Sequence, residues 1–98
     1  MVIANCYVQR ILVDNGSSTD VLMYDTFIRM GLTLSQLRRS LTPLTSFGGC
    51  QVGAEGKITL SVTLGMERNQ RTFLVDFIII RIPSDYNAIL GRPALNKF

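Results

Sequence analysis

Ile11-Leu12-Val13-Asp14-Asn15-Gly16-Ser17-Ser18 sets an apolar triplet against an aspartate and then a run of small polar residues. Successive side chains of a strand point to opposite faces, so three apolar residues in a row predict a strand covered on both sides. Asp14 is then expected at the end of a buried strand. Read alone, Asn15-Gly16 is also the commonest dipeptide of a tight two-residue hairpin, because both residue types tolerate positive φ. The carboxylate thus has two readings, a plain turn residue or an acid/base group delivered by a strand, and the rest of the chain must separate them.

Upstream, Val2–Ile3 and residues 7–13 read as two short strands, with Ala4-Asn5 as the turn between them. Downstream of the Gly16-Ser17-Ser18 loop, Met23, Phe27 and Met30 recur at helical spacing, with Asp25 near the start and Gly31 at the stop. They predict one short helix with these three on its core face. Residues 42–56 turn to Thr, Ser, Pro and Gly around Phe47-Gly48-Gly49, which reads as a long mobile hairpin or loop. Residues 58–64 alternate apolar Ile58, Leu60, Val62 and Leu64 with Thr59, Ser61 and Thr63, the clearest strand pattern in the chain. Residues 73–82 predict a second, more buried strand closed by Pro83-Ser84-Asp85. Ala88–Leu90 is a last core strand ending at Gly91, and Pro93 suits the first turn of a helix over 93–98.

At 98 residues the chain has room for one small domain, and its 47% apolar content, rich in Val, Ile, Leu and Thr, fits a packed β core. The net charge is +3, yet the only adjacent basic pair is Arg38-Arg39, so no stripe for a phosphate backbone forms and nucleic-acid binding gains no support. Arg38-Arg39 reads as solvated surface. The chain has no histidine, which removes Ser/His/Asp and Cys/His nucleophile pairs, histidine bases and most zinc sites together. Carboxylates remain as acid/base candidates, without a metal or cofactor; Ser17 and Ser18, lacking a base, are not activated nucleophiles. Cys6 and Cys50 form no CxxC pair and read as buried thiols of a reducing compartment. The 73–82 run is interrupted by Asp76 and Arg81 and is too short to span a bilayer, and no leader-like segment opens the chain. A cytoplasmic setting without membrane contact is the expectation.

Three strings together resemble the retropepsins, most nearly the proteases of plant-type Ty3/Gypsy retrotransposon polyproteins: residues 11–18 as quoted, Tyr86-Asn87-Ala88-Ile89-Leu90-Gly91-Arg92-Pro93, and the Gly-Lys-Ile-Thr-Leu segment at 56–60. The resemblance covers nearly the whole chain, 1–98. It implies an all-β, mainly antiparallel fold, a closed retropepsin-like barrel with one or two short helices, working as a homodimer on a polypeptide substrate. Position by position, it implies that Asp14 is the catalytic aspartate and that Gly16 lets the substrate backbone approach. Asn15, Gly16, Ser17 and Ser18 would form the active-site loop. Phe47, Gly48 and Gly49 would be the tip of a flap over about 42–56. Ile89, Leu90 and Gly91 would pack beneath the aspartate loop, and Arg92 would buttress loop and dimer, with Asp20 as its candidate ion-pair partner because Ser18 stands where many viral relatives have an aspartate. In the family, two facing aspartates hold a water; one carboxylate takes its proton while the other, protonated, donates to the scissile carbonyl. Carboxyls that close cannot both ionise, so they share a proton, and activity is expected at acidic to neutral pH.

Two departures qualify the expectation. Asn15 stands where most retropepsins carry Ser or Thr, so hydrogen bonding across the dimer must use an amide. Thirteen residues precede Asp14 and seven follow Gly91, so the terminal strands that interleave in viral dimers are expected to be missing, leaving a weak dimer. The alternative to an endopeptidase is an inactive retropepsin-like module retained for interaction or dimerisation.

Overall fold

Residues 71–80 form the strand on which the fold is built, because their β-branched and aromatic side chains pack well on a pleated surface. The computed structural model describes residues 1–39, 44–47, 50–65 and 68–98. Its elements run β1 (Val2–Ile3), β2 (Cys6–Tyr7), β3 (Ile11–Val13), β4 (Asp20–Met23), α1 (Tyr24–Arg29), a 3₁₀ turn (Leu34–Gln36), β5 (Leu44–Phe47), β6 (Cys50–Leu64), β7 (Arg71–Ile80), β8 (Ala88–Leu90) and α2 (Arg92–Leu95). The sheet order is β2-β1-β6-β7-β4-β8-β3, with β5 paired to β6 off this path.

The fold is mostly β with two short helices, but the sheet is mixed rather than mainly antiparallel. β3 runs parallel to β8 and β4 parallel to β7, whereas β4–β8 and β6–β7 are antiparallel. The cause is β8, which inserts between two strands that are close in sequence. The sheet also stays open among the described residues, since β2 and β3 end the path without pairing with each other.

Period-2 alternation sorts the core. Leu22, Phe77, Ile79, Ala88 and Leu90 face a cluster that also holds Ile3, Phe27 and Val62. Val21, Met23, Ile78, Ile80 and Ile89 face a second cluster on the other side of the same strands. β4, β7 and β8 are therefore apolar in consecutive positions because both of their faces are covered. Removing each such side chain from water contributes roughly 1.5–3 kcal/mol.

Several expected boundaries move. The strand expected over 7–13 divides, because Arg10 takes φ 58° and turns the chain between β2 and β3. β3 is an edge strand with one neighbour, so Val13 stays 59% exposed and the expected two-sided burial does not occur. Asp20–Met23, expected as loop and helix start, is a buried strand; Met23 ends it and precedes α1. Met23 and Phe27 are buried and the half-buried Met30 packs against the core. Of the hairpin or loop expected over 42–56, the described residues form a hairpin, β5 pairing with the start of β6 from Leu44↔Gly53 to Phe47↔Cys50. Gly48 and Gly49, between those strands, lie outside the described residues. The last helix begins at Arg92, with Pro93 in its first turn, and ends at Leu95. Cys6 is half-buried rather than buried, and the Cys50 side chain lies outside the described residues. Among the described residues no helix is long and apolar enough to cross a membrane.

Candidate active site

Asp14 follows β3 directly, and its N–H donates to Leu90 O at 2.9 Å, one step beyond the Val13↔Leu90 register. The chain then turns. Ser17 N–H donates to Asp14 O at 3.2 Å, and Gly16 N–H donates to Asp14 Oδ1 at 2.9 Å. This is a turn reinforced by an aspartate side chain that mimics a further backbone acceptor. Space is tight at its apex, since a Cβ on Gly16 would stand 3.2 Å from Asp14 Oδ1. Asp14, Asn15 and Gly16 are all exposed.

The plain hairpin reading of Asn15-Gly16 fails on the pairing. A hairpin turn joins two strands that bond each other. Here β3 and β4 flank the turn, yet each bonds β8, which lies between them. The loop over residues 14–19 therefore arches across the end of β8 and rests on the segment that continues it. Arg92 N–H donates to Ser17 O at 2.9 Å, and a Cβ on Gly91 would lie 2.4 Å from Thr19 O and 2.7 Å from Ser17 O. Only a residue without a side chain fits between the two backbones. Ser17 Oγ closes the loop locally by donating to Thr19 O at 2.8 Å.

Asp20 completes this arrangement. It is 2% exposed, and its Oδ1 accepts N–H donation from Gly91 at 2.7 Å and from Ala94 at 3.4 Å. Burial raises its pKa above the ordinary 3.8, opposed by those two N–H groups and the Lys97 charge. The ion pair expected between Arg92 and Asp20 is not formed. The carboxylate is taken up by main-chain donors, and the exposed Arg92 contributes its backbone N–H to the loop. Ile89 and Leu90 are buried beneath the turn. The structure thus brings Asp14, Ser17 and residues 89–92 together, while Phe47 sits at the end of β5, remote in sequence from the loop.

Asn87 was not singled out from sequence as a site residue, yet it ties three segments together. Its Oδ1 accepts from Thr26 Oγ1 at 2.8 Å and from Arg29 at 3.1 Å, and its Nδ2 donates to Gln9 O at 2.7 Å. It anchors α1 and the approach to β3 at the far end of β8.

Beside the loop, Ser18, Thr19 and Asp20 edge a cleft of about 200 Å³ shared with Lys57, Asp76 and Lys97. Asp76 accepts a hydrogen bond from Thr59 Oγ1 and lies 3.6 Å from Arg38 and 3.8 Å from Lys57. The Thr59 hydroxyl first, then the charges of Lys57, Arg38 and Lys97, hold its pKa below 3.8. A carboxylate with a depressed folded-state pKa stabilises the fold above its unfolded value, and that contribution is lost as pH falls through the folded one. Asp76 is half exposed, so the effect is small. Asp76→Asn should cost less than about 1 kcal/mol at neutral pH and flatten the loss of stability below 3.8. Urea midpoints of both proteins across that acid range measure it. Asp20 titrates with the opposite sign, its ionisation above 3.8 disfavouring the folded state.

Among the described residues no three His, Cys, Asp or Glu side chains cluster as a metal site would require. No protein-family model matches the chain, and no curated relative matches it either.

Proposed function

We propose that this chain is one subunit of a homodimeric aspartic endopeptidase of the retropepsin type, processing a retrotransposon polyprotein. The observation that carries the reading is the setting of Asp14. It stands exposed on a turn whose flanking strands are both bonded to β8, and the turn's backbone rests on Gly91. A rigid support under an exposed carboxylate is what acid/base chemistry needs and what a surface turn does not. Val13, apolar and 59% exposed beside it, offers surface that a second copy would cover.

In this reading two Asp14 side chains meet across the dimer axis and hold one water. The ionised carboxyl takes a proton from the water, whose oxygen attacks the peptide carbonyl carbon. The protonated carboxyl donates to the carbonyl oxygen. Collapse of the tetrahedral species returns that proton and delivers another to the leaving nitrogen, so no covalent enzyme intermediate forms. The hairpin of β5 and β6 is the candidate flap over the bound peptide.

A peptide-cleavage assay tests this, run with and without pepstatin on the chain and on a version continued at both ends. Because half of the site resides on each copy, activity per subunit should rise with protein concentration and then level off as dimers saturate. Sedimentation should track the same curve. If the continued version cleaves nothing between about pH 4 and pH 7, the enzymatic reading is lost and the chain is a binding or dimerisation module.

A further inference from the structure

We propose that Asp20 is a positioning residue for Asp14, its buried carboxylate clamping the start of α2 beneath the loop; this rests on the aspartic-peptidase reading above. Asp14 is bonded to Leu90, Ser17 to Arg92, and Asp20 to Gly91 and Ala94. Among the described residues each of these attachments therefore lands on residues 90–94, and only Asp20 supplies a side chain to do it. The Asp14 and Ser17 attachments are single main-chain bonds at the exposed end of the loop. Asp20 sits at the inner end, where β4 is paired on both sides, with β7 and with β8. It transmits the rigidity of those central strands to Gly91, against which Ser17 O and Thr19 O are in contact.

The environment of the carboxylate fits a structural clamp. Among the described residues no hydrogen bond reaches its Oδ2, and the residue borders the cleft lined by Lys57, Asp76 and Lys97. Among the described residues no salt bridge includes it, so no ion-pair partner holds it. An aspartate buried against the cost of desolvation and satisfied by two N–H donors of one segment is held for what those bonds position.

The test compares Asp20→Asn and Asp20→Ala with the wild type in the full chain. The asparagine carbonyl can still accept both N–H groups, and alanine cannot. Asp20→Ala should lower kcat by about ten-fold or more with KM within about two-fold, because the substrate-binding surface stays and the reacting carboxylate is misplaced. Asp20→Asn should stay within about three-fold of wild type. Equal losses in both variants, or an unchanged kcat in a folded Asp20→Ala protein, would overturn the proposal. Amide exchange at Asp14 and Ser17 gives a second readout that needs no activity. Exchange should quicken in Asp20→Ala and not in Asp20→Asn. If the wild type cleaves no peptide, the function proposed above fails, and this exchange pattern alone decides the clamp: identical rates in all three proteins reject it. If Asp20→Ala does not fold, loss of Asp14 protection in Asp20→Asn rejects it equally.

Discussion

Asp14→Ala should lower peptide cleavage by at least about 10³-fold while leaving the fold intact, because a dimer of that variant has no group to take or give the proton at the water. General acid/base catalysis by a positioned side chain accounts for about 10²–10⁴ in rate, and in the proposed dimer both catalytic groups would come from the same position of two copies. One substitution removes both. The stability change should be small. Asp14 is exposed, and what it contributes is one hydrogen bond from Gly16 N–H, about 0.5–1.5 kcal/mol. Asp14→Asn keeps that acceptor and should be equally inactive with still less loss of stability. A melting curve and a cleavage assay on the same preparation check both halves. An Asp14→Ala protein that folds and cleaves like wild type would remove the enzymatic reading outright. Mixing wild type with excess Asp14→Ala should also depress the wild-type rate, since mixed dimers carry one aspartate.

The elements with long, regular patterns were legible, and those made by distant pairing were not. Alternation over residues 58–64 and the apolar run over 73–82 announce β6 and β7, although β7 begins at Arg71 and ends at Ile80, because strands this long carry enough periods to be seen. β4 has four residues, all buried, and Val21-Leu22-Met23 offers no alternation to tell a strand from a helix start. The parallel pairings depend on β8 slipping between β3 and β4, a choice of neighbour made across more than sixty residues of chain and expressed in no local spacing. The same holds at the site. Asp14 and Gly91 stand out by residue type, but what joins them is tertiary. The resemblance offered Asp20 as a charge partner for Arg92, and charge is visible in a sequence where a main-chain N–H donor is not. Its actual partners lie 71 and 74 residues away. Asn87 was hidden for the same reason, its bonds to Thr26 and Gln9 spanning 61 and 78 residues.

Gly91→Ala should destabilise the protein by about 3 kcal/mol, the upper end for forcing one extra carbon into a packed interior, and should disable the site. The added Cβ would lie 2.4 Å from Thr19 O and 2.7 Å from Ser17 O. Both are main-chain atoms, so no side chain can rotate away, and the relief has to come from moving the loop. That movement strains three attachments together: Asp14 N–H to Leu90 O, Arg92 N–H to Ser17 O, and Gly91 N–H to Asp20 Oδ1. Gly31→Ala is the control. Gly31 has nothing within 4 Å of an added Cβ and only its φ of 84° to object, which costs about 1–2 kcal/mol for a residue with a side chain. The two substitutions add the same atom, yet one penalty is local backbone strain and the other displaces the loop that carries Asp14. Urea unfolding should therefore rank Gly91→Ala as the more damaging, and only Gly91→Ala should lose cleavage in the fraction that remains folded. Equal stability losses with activity retained in both would mean that Ser17 and Thr19 yield freely, and that the loop does not depend on Gly91 for its position.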